Sequence, residues 1–553
     1  MKFKFLTVLG IVVLGGILRF YKLDWAQGLF THPDEYHIVS SVAQLSFPGQ
    51  MNPHFFSYGT VTIYLIYFTQ ELLKHFSAFF NYQLIIPNSF LIGRFYSALF
   101  STFTVFIIYE ICSVFFQKKR FALIAALLTA ITPGLIQQAH FATPESALTF
   151  FLFVSLLLII KFLKQNRIIF LILTSVFLGF AVGVKISSIV FLLPLTISIA
   201  IKSVPKKPSF TKNASKIILK FIGLTLISIV TSFITLFIVA PFIFLDFSDF
   251  QNSLQYEGGL AIGKLSVFYT RQFMDTVPVI FQVEKILPFA LGPFLLLISL
   301  IGFLFLIINL IKKPKYEPII IVITFLSIFI TNSFLFTKWT RFIAPTFPFF
   351  AIFASFLLDK LYSKNKSILK ILTSIVFIAT FLWTVAFFSI YLHPDVRITA
   401  SNWIENTLPE NSNILVEGGN MIDIPLKGNF ERVSLDFYNL ETDIRARFQI
   451  VSGISKADYF IIESRRVFMN HQRLPKLFPV TSNFYTALFN GDLGFKEIQE
   501  FHSYPMLEIG NWKMEFPDET AEETWSVFDH PVIRIFKKTQ QLSTENYAKF
   551  LEI

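Results

Sequence analysis

Two adjacent carboxylates flanked by histidines stand in the segment Thr31-His32-Pro33-Asp34-Glu35-Tyr36-His37. Asp and Glu together supply only 36 of 553 residues, so this clustering carries weight. Carboxylates held close together raise each other's proton affinity, which suits a general base or a metal ligand. The plainer alternative is capping, with Asp34 after Pro33 opening a helix through Ile38 and Val39. A third acid, Glu145, lies in Phe141-Ala142-Thr143-Pro144-Glu145-Ser146. There it serves either a cavity or, as a first-turn carboxylate behind a proline, the dipole of the following helix. Three cations complete the set: Lys185 in Gly183-Val184-Lys185-Ile186-Ser187-Ser188, and Lys338 and Arg341 in Thr337-Lys338-Trp339-Thr340-Arg341. Cations converging with acids suit a phosphate-bearing ligand, whereas a lone lysine at a helix end also snorkels to lipid phosphate.

Other chemistries find less support. His32, Glu35, His37 and His54 offer metal ligands, but no helical His pair has metal-ligand spacing; no cofactor is fixed by the residues, and a divalent metal stays open. No glycine-rich phosphate loop follows a strand, and no serine nucleophile elbow occurs, which argues against a nucleotide site or a serine hydrolase.

These residues must be positioned by a membrane framework. Hydrophobic residues make up 54% of the chain, aromatics 17% and charged residues 15%, with 71 phenylalanines, more apolar side chain than a water-soluble surface tolerates. Apolar segments at 5–20, 90–116, 121–140, 145–162, 168–185, 187–201, 218–245, 287–311, 317–336, 342–361 and 368–392 predict about eleven spans. The segment after Lys2 and Lys4 shows no small-residue cleavage site and reads as a retained first helix. Segment 59–80 is apolar but interrupted by Gln70, Glu71, Lys74 and His75, which suits an interfacial helix. With that segment not crossing, one face collects 21 basic and three acidic residues and the other ten of each. The basic face is then cytoplasmic. Residues 21–88, 141–146, 246–286 and 337–341 fall outside, with the whole of 393–553. The Lys-rich 202–216 stretch, with Pro205 and Pro208, reads as a cytoplasmic linker.

Composition changes at His393-Pro394. Residues 1–392 carry 31 basic and 13 acidic side chains, residues 393–553 carry 16 and 23, so the overall charge of +11 averages two unlike domains and does not imply a nucleic-acid partner. The expected organisation is a transmembrane domain over 1–392 and a soluble external α/β domain over 393–553. In the latter, Trp403, Ile404 and Leu408 have helical spacing, Ile414–Val416, Tyr459–Ile462 and Val532–Phe536 read as strands, and Gly418-Gly419, Gly491 and Pro517 mark loops. The single cysteine, Cys112, permits no internal disulfide.

The order of several motifs resembles a known family. After the first-loop Asp-Glu come Asn52-Pro53-His54-Phe55-Phe56-Ser57-Tyr58-Gly59 and Gly93-Arg94-Phe95-Tyr96-Ser97, then Pro241 to Phe250, Arg341-Phe342-Ile343-Ala344-Pro345, and Trp403-Ile404 with Leu408-Pro409. Together they resemble GT-C-type membrane glycosyltransferases, specifically the dolichyl-phosphate-mannose protein mannosyltransferase and lipid A aminoarabinose transferase superfamily. The resemblance implies a polytopic α-helical GT-C fold with Asp34 as the catalytic carboxylate and Glu35 beside it. Glu145 falls where relatives usually carry Asp, a side chain one methylene shorter. Lys185 and Arg341, with Arg94 and Lys338, are expected near the donor's lipid phosphate. Asp529-His530-Pro531 is similar to a pattern of unknown role in relatives.

The expected reaction takes place at the outer face of the plasma membrane. A polyprenyl-phosphate sugar enters from the bilayer, Lys185 and Arg341 hold its phosphate, and Asp34 deprotonates the hydroxyl of a lipid, glycan or protein acceptor. Displacement at the anomeric carbon inverts configuration. The competing readings are a transporter or flippase for a lipid-linked sugar, which should carry ionisable residues mid-span and internal repeats, and an envelope scaffold, which leaves the Asp-Glu pair without a role.

Overall fold

The computed structural model describes residues 2–80, 85–116, 119–204, 210–364, 367–418 and 423–553. Lys118, the Pro205–Pro208 part of the linker and Gly419 lie outside them. Within this set the chain is a polytopic α-helical membrane protein with a strand-containing C-terminal region. Eight helices are long and apolar enough to cross a bilayer: Ser89–Phe115, Glu145–Gln165, Ile186–Ser203, Ala214–Val239, Pro293–Lys312, Tyr316–Ser333, Thr340–Ser363 and Ser367–Leu392. Two further apolar helices, Leu6–Phe20 and Ile168–Val184, are shorter, and Lys119–Ala130 with Pro133–Ala139 forms one pair bent by 55°. Each of the eleven expected spans is thus largely helical, but 121–140 is bent at Pro133, 218–245 and 287–311 are interrupted after Val239 and at Gly292, and two are short. The helix Thr60–Phe79 is not apolar enough to join them, because Glu71, Lys74 and His75 fall within it.

By internal packing the chain divides into two compact units: Met1–Leu23, Asp34–Lys264 and Val277–Thr384 in the first, and Asp24–Pro33, Leu265–Thr276 and Val385–Ile553 in the second. In the first unit Glu145–Gln165 is almost wholly buried by neighbouring helices, whereas the equally apolar Ala214–Val239 is left almost uncovered by protein. The bend at Pro133 follows from a residue that cannot donate a backbone hydrogen bond. Arg19 attends the carbonyls left at that break. Fully buried, it donates to Ala130 O at 2.8 Å, Thr129 O at 3.1 Å and Ser101 Oγ at 2.7 Å, placing a cation at the negative end of a helix. Beyond the bend, His140 Nδ1 lies 2.8 Å from Ile136 O and Nε2 3.1 Å from Tyr21 O, which fixes the segment leading to Glu145.

A second close approach joins the segment before the helix Thr60–Phe79 to the end of the helix Ile168–Val184. Gly59 N donates to Val184 O at 2.9 Å, and a Cβ on Gly59 would stand 1.9 Å from Gly183 O. Only glycine fits there, and the contact brings Tyr58 beside Lys185.

The second unit contains a five-stranded sheet and a separate hairpin, with strands numbered in chain order: β1 Asn413–Gly418, β2 Glu431–Asp436, β3 Tyr459–Ile462, β4 Phe495–Phe501, β5 Met506–Ile509, β6 Trp512–Glu515 and β7 Ile533–Lys538. The sheet order is β2-β1-β3-β7-β4, with β5 and β6 pairing separately. β1 pairs in parallel with β2 and β3, and β7 is antiparallel to β3 and β4. Alternation along the central strands feeds two cores: Leu415, Phe460, Ile462 and Phe536 pack with Phe437, Phe484 and Tyr485, while Ile414, Val416, Ile461 and Ile535 pack with Val396, Ala400 and Ile404. The expected strands at Ile414–Val416, Tyr459–Ile462 and Val532–Phe536 are β1, β3 and most of β7, and Trp403 and Ile404 lie in the helix Val396–Thr407.

Asp529-His530 is a buried lock inside this unit. His530 Nδ1 lies 2.6 Å from Asp529 Oδ1 and Nε2 2.8 Å from Asp518 Oδ2, while Tyr391 donates to Asp529 Oδ2 at 3.1 Å. Burial opposes charge on the ring, but the two carboxylates outweigh it and raise the His530 pKa to about 10.

Candidate functional site in the first unit

Asp34 sits in the first turn of the helix Pro33–Ala43. Its Oδ2 accepts hydrogen bonds from Tyr58 Oη at 2.6 Å and from Arg341 NH1. Arg341 belongs to the short turn Thr340–Ile343 that opens the span Thr340–Ser363. Glu145, at the start of the helix Glu145–Gln165, accepts a hydrogen bond from Lys185 Nζ at 3.1 Å. The ammonium of Lys185 also lies over two rings, 5.2 Å from the centre of Tyr58 and 4.7 Å from that of Phe342, and Arg341 stacks 4.9 Å over Trp339. Two acid–cation pairs therefore meet around one tyrosine. Burial raises the Tyr58 pKa well above its ordinary value; Arg341 opposes this, and Asp34 and Glu145 add to it. Tyr58 stays protonated and donates.

Two polar atoms in this cluster are buried without a hydrogen-bond partner, Arg341 Nε and Glu145 Oε2. A buried polar atom without a partner is costly unless a ligand satisfies it.

Glu35 lies elsewhere, although it adjoins Asp34 in sequence. Successive helical residues diverge by about 100°, and Glu35 turns inward to a bidentate pair with Arg94, Nε–Oε1 at 2.7 Å and NH2–Oε2 at 2.8 Å. Both side chains are wholly buried. Ala142 N donates to Glu35 Oε1 at 2.7 Å, and Arg94 NH1 donates to Leu23 O at 2.7 Å. The pair was expected in the catalytic and phosphate-binding sets; in the structure it ties the helix carrying Asp34 to the helix Ser89–Phe116 and to the loop before Glu145. Close approach again permits this, since a Cβ at Gly93 would sit 2.6 Å from Ala142 Cβ. Lys338 Nζ donates to Phe336 O at 2.9 Å, and its burial lowers its pKa.

Of the histidines considered as ligands, His37 stacks on Phe55 with ring centres 5.9 Å apart, and His32 packs on Phe528 within the second unit. His54 meets two acids that their sequence context does not single out, Asp246 and Asp249. Tyr58 and Phe342 were likewise without an assigned role, though both lie inside motifs quoted for the resemblance. A tyrosine one residue before an obligatory glycine was the available signal.

This helical unit with an α/β region is the GT-C fold. The crystal structure of the Archaeoglobus fulgidus oligosaccharyltransferase in the apo form superposes with a TM-score of 0.52 at 14% identity, over 87% of this chain and 72% of that one. The same enzyme tethered to an acceptor peptide containing the NVT sequon gives 0.50 at 13% identity, with the same coverage. ArnT from Cupriavidus metallidurans bound to undecaprenyl phosphate gives 0.44 at 13% identity, over 84% of this chain and 94% of that one. Residues 72–233 match the family model of dolichyl-phosphate-mannose-protein mannosyltransferases, in agreement with the resemblance drawn from the motifs. That segment holds Arg94, Glu145 and Lys185. No curated protein matches the chain.

Proposed function

We propose that the protein transfers a sugar from a polyprenyl-phosphate donor to an acceptor hydroxyl at the external face of the plasma membrane, with inversion, and that Asp34 is the general base. The observation that carries this reading is the convergence of Asp34, Tyr58, Glu145, Lys185 and Arg341, with Arg341 Nε and Glu145 Oε2 left for a ligand. A family match to enzymes named for a dolichyl-phosphate sugar supports the donor class.

In this mechanism the donor phosphate enters beside Lys185 and Arg341. A carboxylate paired with a cation accepts a proton less readily than a free one. Phosphate draws Arg341 toward itself and releases Asp34 for the acceptor. The acceptor O–H proton passes to Asp34, its oxygen bonds the anomeric carbon from the face opposite the phosphate, and the bond from that carbon to the phosphate oxygen breaks. Lys185 and Arg341 take up the charge on the leaving polyprenyl phosphate, the role of a preorganised electrostatic site. Tyr58 orients Asp34 without accepting a proton, and Glu35 with Arg94 acts as a positioning pair. No step requires a nucleotide or a resident cofactor.

The reading also takes loop 21–88 and residues 393–553 as external, on the charge asymmetry of the loops. Cysteines at Ser57 and Ser543 should label with an impermeant reagent in intact cells, and one at Lys313 should not. The reaction is tested by mass analysis of lipid-linked sugars and glycans from cells with and without the protein. Loss of it should leave an unconsumed polyprenyl-phosphate sugar and an acceptor lacking one residue; an unchanged glycan profile overturns the assignment.

A further inference from the structure

We infer that the hairpin β5–β6 is a membrane-interface anchor, its uncovered apolar face lying on lipid headgroups beside the end of the last membrane helix. Strand pairing sorts its side chains onto two faces. Ile509 opposes Trp512 and Leu507 opposes Met514 on one face, while Glu508 opposes Lys513 and Met506 opposes Glu515 on the other. Ile509 is 76% exposed, Trp512 51% and Met514 47%, so the protein leaves the apolar face largely bare. The polar face is occupied: Lys513 Nζ lies 3.0 Å from Glu508 Oε1, His393 Nε2 lies 4.0 Å from Glu508 Oε2, and His502 Nε2 lies 3.3 Å from Glu515 Oε2. The two-residue turn Gly510-Asn511, with Gly510 at φ +59°, holds the strands in this register.

Attachment and composition together name the bilayer as the occupant. The hairpin starts against the last membrane helix, where Met506 N donates to Ser389 Oγ at 3.1 Å. Ser389 stands in the final turn of the span Ser367–Leu392, and Val385 and Leu392 on that helix end are themselves exposed. The apolar face thus begins where the chain leaves lipid and continues a surface that lipid covers. Tryptophan suits that level, because its ring has an apolar body and a polar N–H. A lysine on the opposite face reaches phosphate by its long stem. Depth is limited as well: the hairpin has two open edges, and unpaired backbone groups have no partner in hydrocarbon. In water, a two-stranded hairpin is marginal by itself. The headgroup region meets both limits, and contact there gives the C-terminal region a second attachment to the membrane beside the covalent one at Leu392.

The inference is independent of the sugar-transfer reading, and its test needs no activity. The full-length protein, with Cys112→Ala removing its one native thiol, is spin-labelled at Ile509→Cys or at Lys513→Cys and placed in nanodiscs of mixed zwitterionic and anionic lipid. Relaxation of each label by oxygen, which concentrates in lipid, is compared with relaxation by a water-soluble nickel chelate. The Ile509→Cys label should shift toward oxygen and the Lys513→Cys label toward nickel. Adding Trp512→Asp and Met514→Asp, which makes the apolar face polar, should return the Ile509→Cys label to nickel. Lipids brominated near the headgroup should quench tryptophan fluorescence, and part of that quenching should be lost in Trp512→Phe. The altered hairpin positions are all exposed, and monodispersity on gel filtration reports folding. Equal access of nickel to the two labels overturns the anchor, because the apolar face then stands in water. An Ile509→Cys label shielded from both reagents overturns it equally, because protein, a second copy of the chain included, then covers the face.

Discussion

Replacing Asp34 by Asn should tighten donor binding while abolishing transfer, and the opposite signs are what make the experiment informative. In the structure Arg341 is committed to Asp34, so an incoming phosphate competes with that carboxylate for the guanidinium. Asn keeps the geometry: its amide oxygen still accepts from Tyr58 and Arg341. What changes is charge. A hydrogen bond to a charged group contributes about 1.5–3 kcal/mol, and with about 1.4 kcal/mol per decade the donor should bind roughly 10- to 100-fold more tightly. Removing the general base should lower the rate by about two to four orders of magnitude. The assay is equilibrium binding of a polyprenyl-phosphate sugar in nanodiscs beside single-turnover transfer by the same preparation, both normalised to the folded fraction. Transfer within a few fold of wild type would remove Asp34 from catalysis. Loss of transfer with donor affinity unchanged or weaker would refute the exchange of Arg341 between carboxylate and phosphate.

Lys185→Ala and Arg341→Ala should each weaken donor affinity about tenfold or more, one charge-assisted bond apiece, measured in the same nanodiscs; a structural role alone predicts unchanged affinity in the protein that folds. Glu35→Ala leaves the Arg94 guanidinium unpaired in a wholly buried site and should cost about 3–5 kcal/mol, seen as a lower melting temperature, whereas the joint replacement of Glu35 and Arg94 by Gln and Met should recover much of it. In the C-terminal region burial pushes Glu417 and Glu463 up to about 8, while the carboxylates around His530 raise it to about 10. Unfolding therefore releases protons, and stability should fall as pH rises, through roughly 4.5 to 8 for the two glutamates and 6.5 to 10 for the histidine, by about 1.4 kcal/mol per pH unit and group. Hydrogen exchange of β1 and β3 in the full-length protein at pH 5.5 and 8.5 checks the sign, and Glu417→Gln should flatten it.

The membrane helices were legible because lipid leaves a span one solution: a long apolar run that satisfies its own backbone. The sharpest departure from the expectation of about eleven spans is the bend at Pro133, which divides one span, with Arg19 gathering the carbonyls. The inner strands of the C-terminal region were legible for a similar reason, since β1 and β3 are buried on both faces and read as short apolar runs. β2 and β6 were not, because nearly every position in them is exposed and no alternation of burial marks them.

The candidate site divides the same way. Residue type and membrane side singled out Asp34, Glu35, Glu145, Lys185, Lys338 and Arg341, and of these Asp34, Glu145, Lys185 and Arg341 come together. Partnership is a matter of rotation about a helix axis, which spacing in a loop motif does not encode, so Asp34 and Glu35 looked alike and part company. One faces Arg341 and Tyr58, the other Arg94 and the backbone of Ala142. The buried pair stands one residue from Asp34: a carboxylate saturated by Arg94 and a backbone N–H fixes the first turn of the helix from which Asp34 projects. On the proposed mechanism the adjacent acids divide positioning from proton transfer, and the rotation between them about the helix axis decides which acid takes which part.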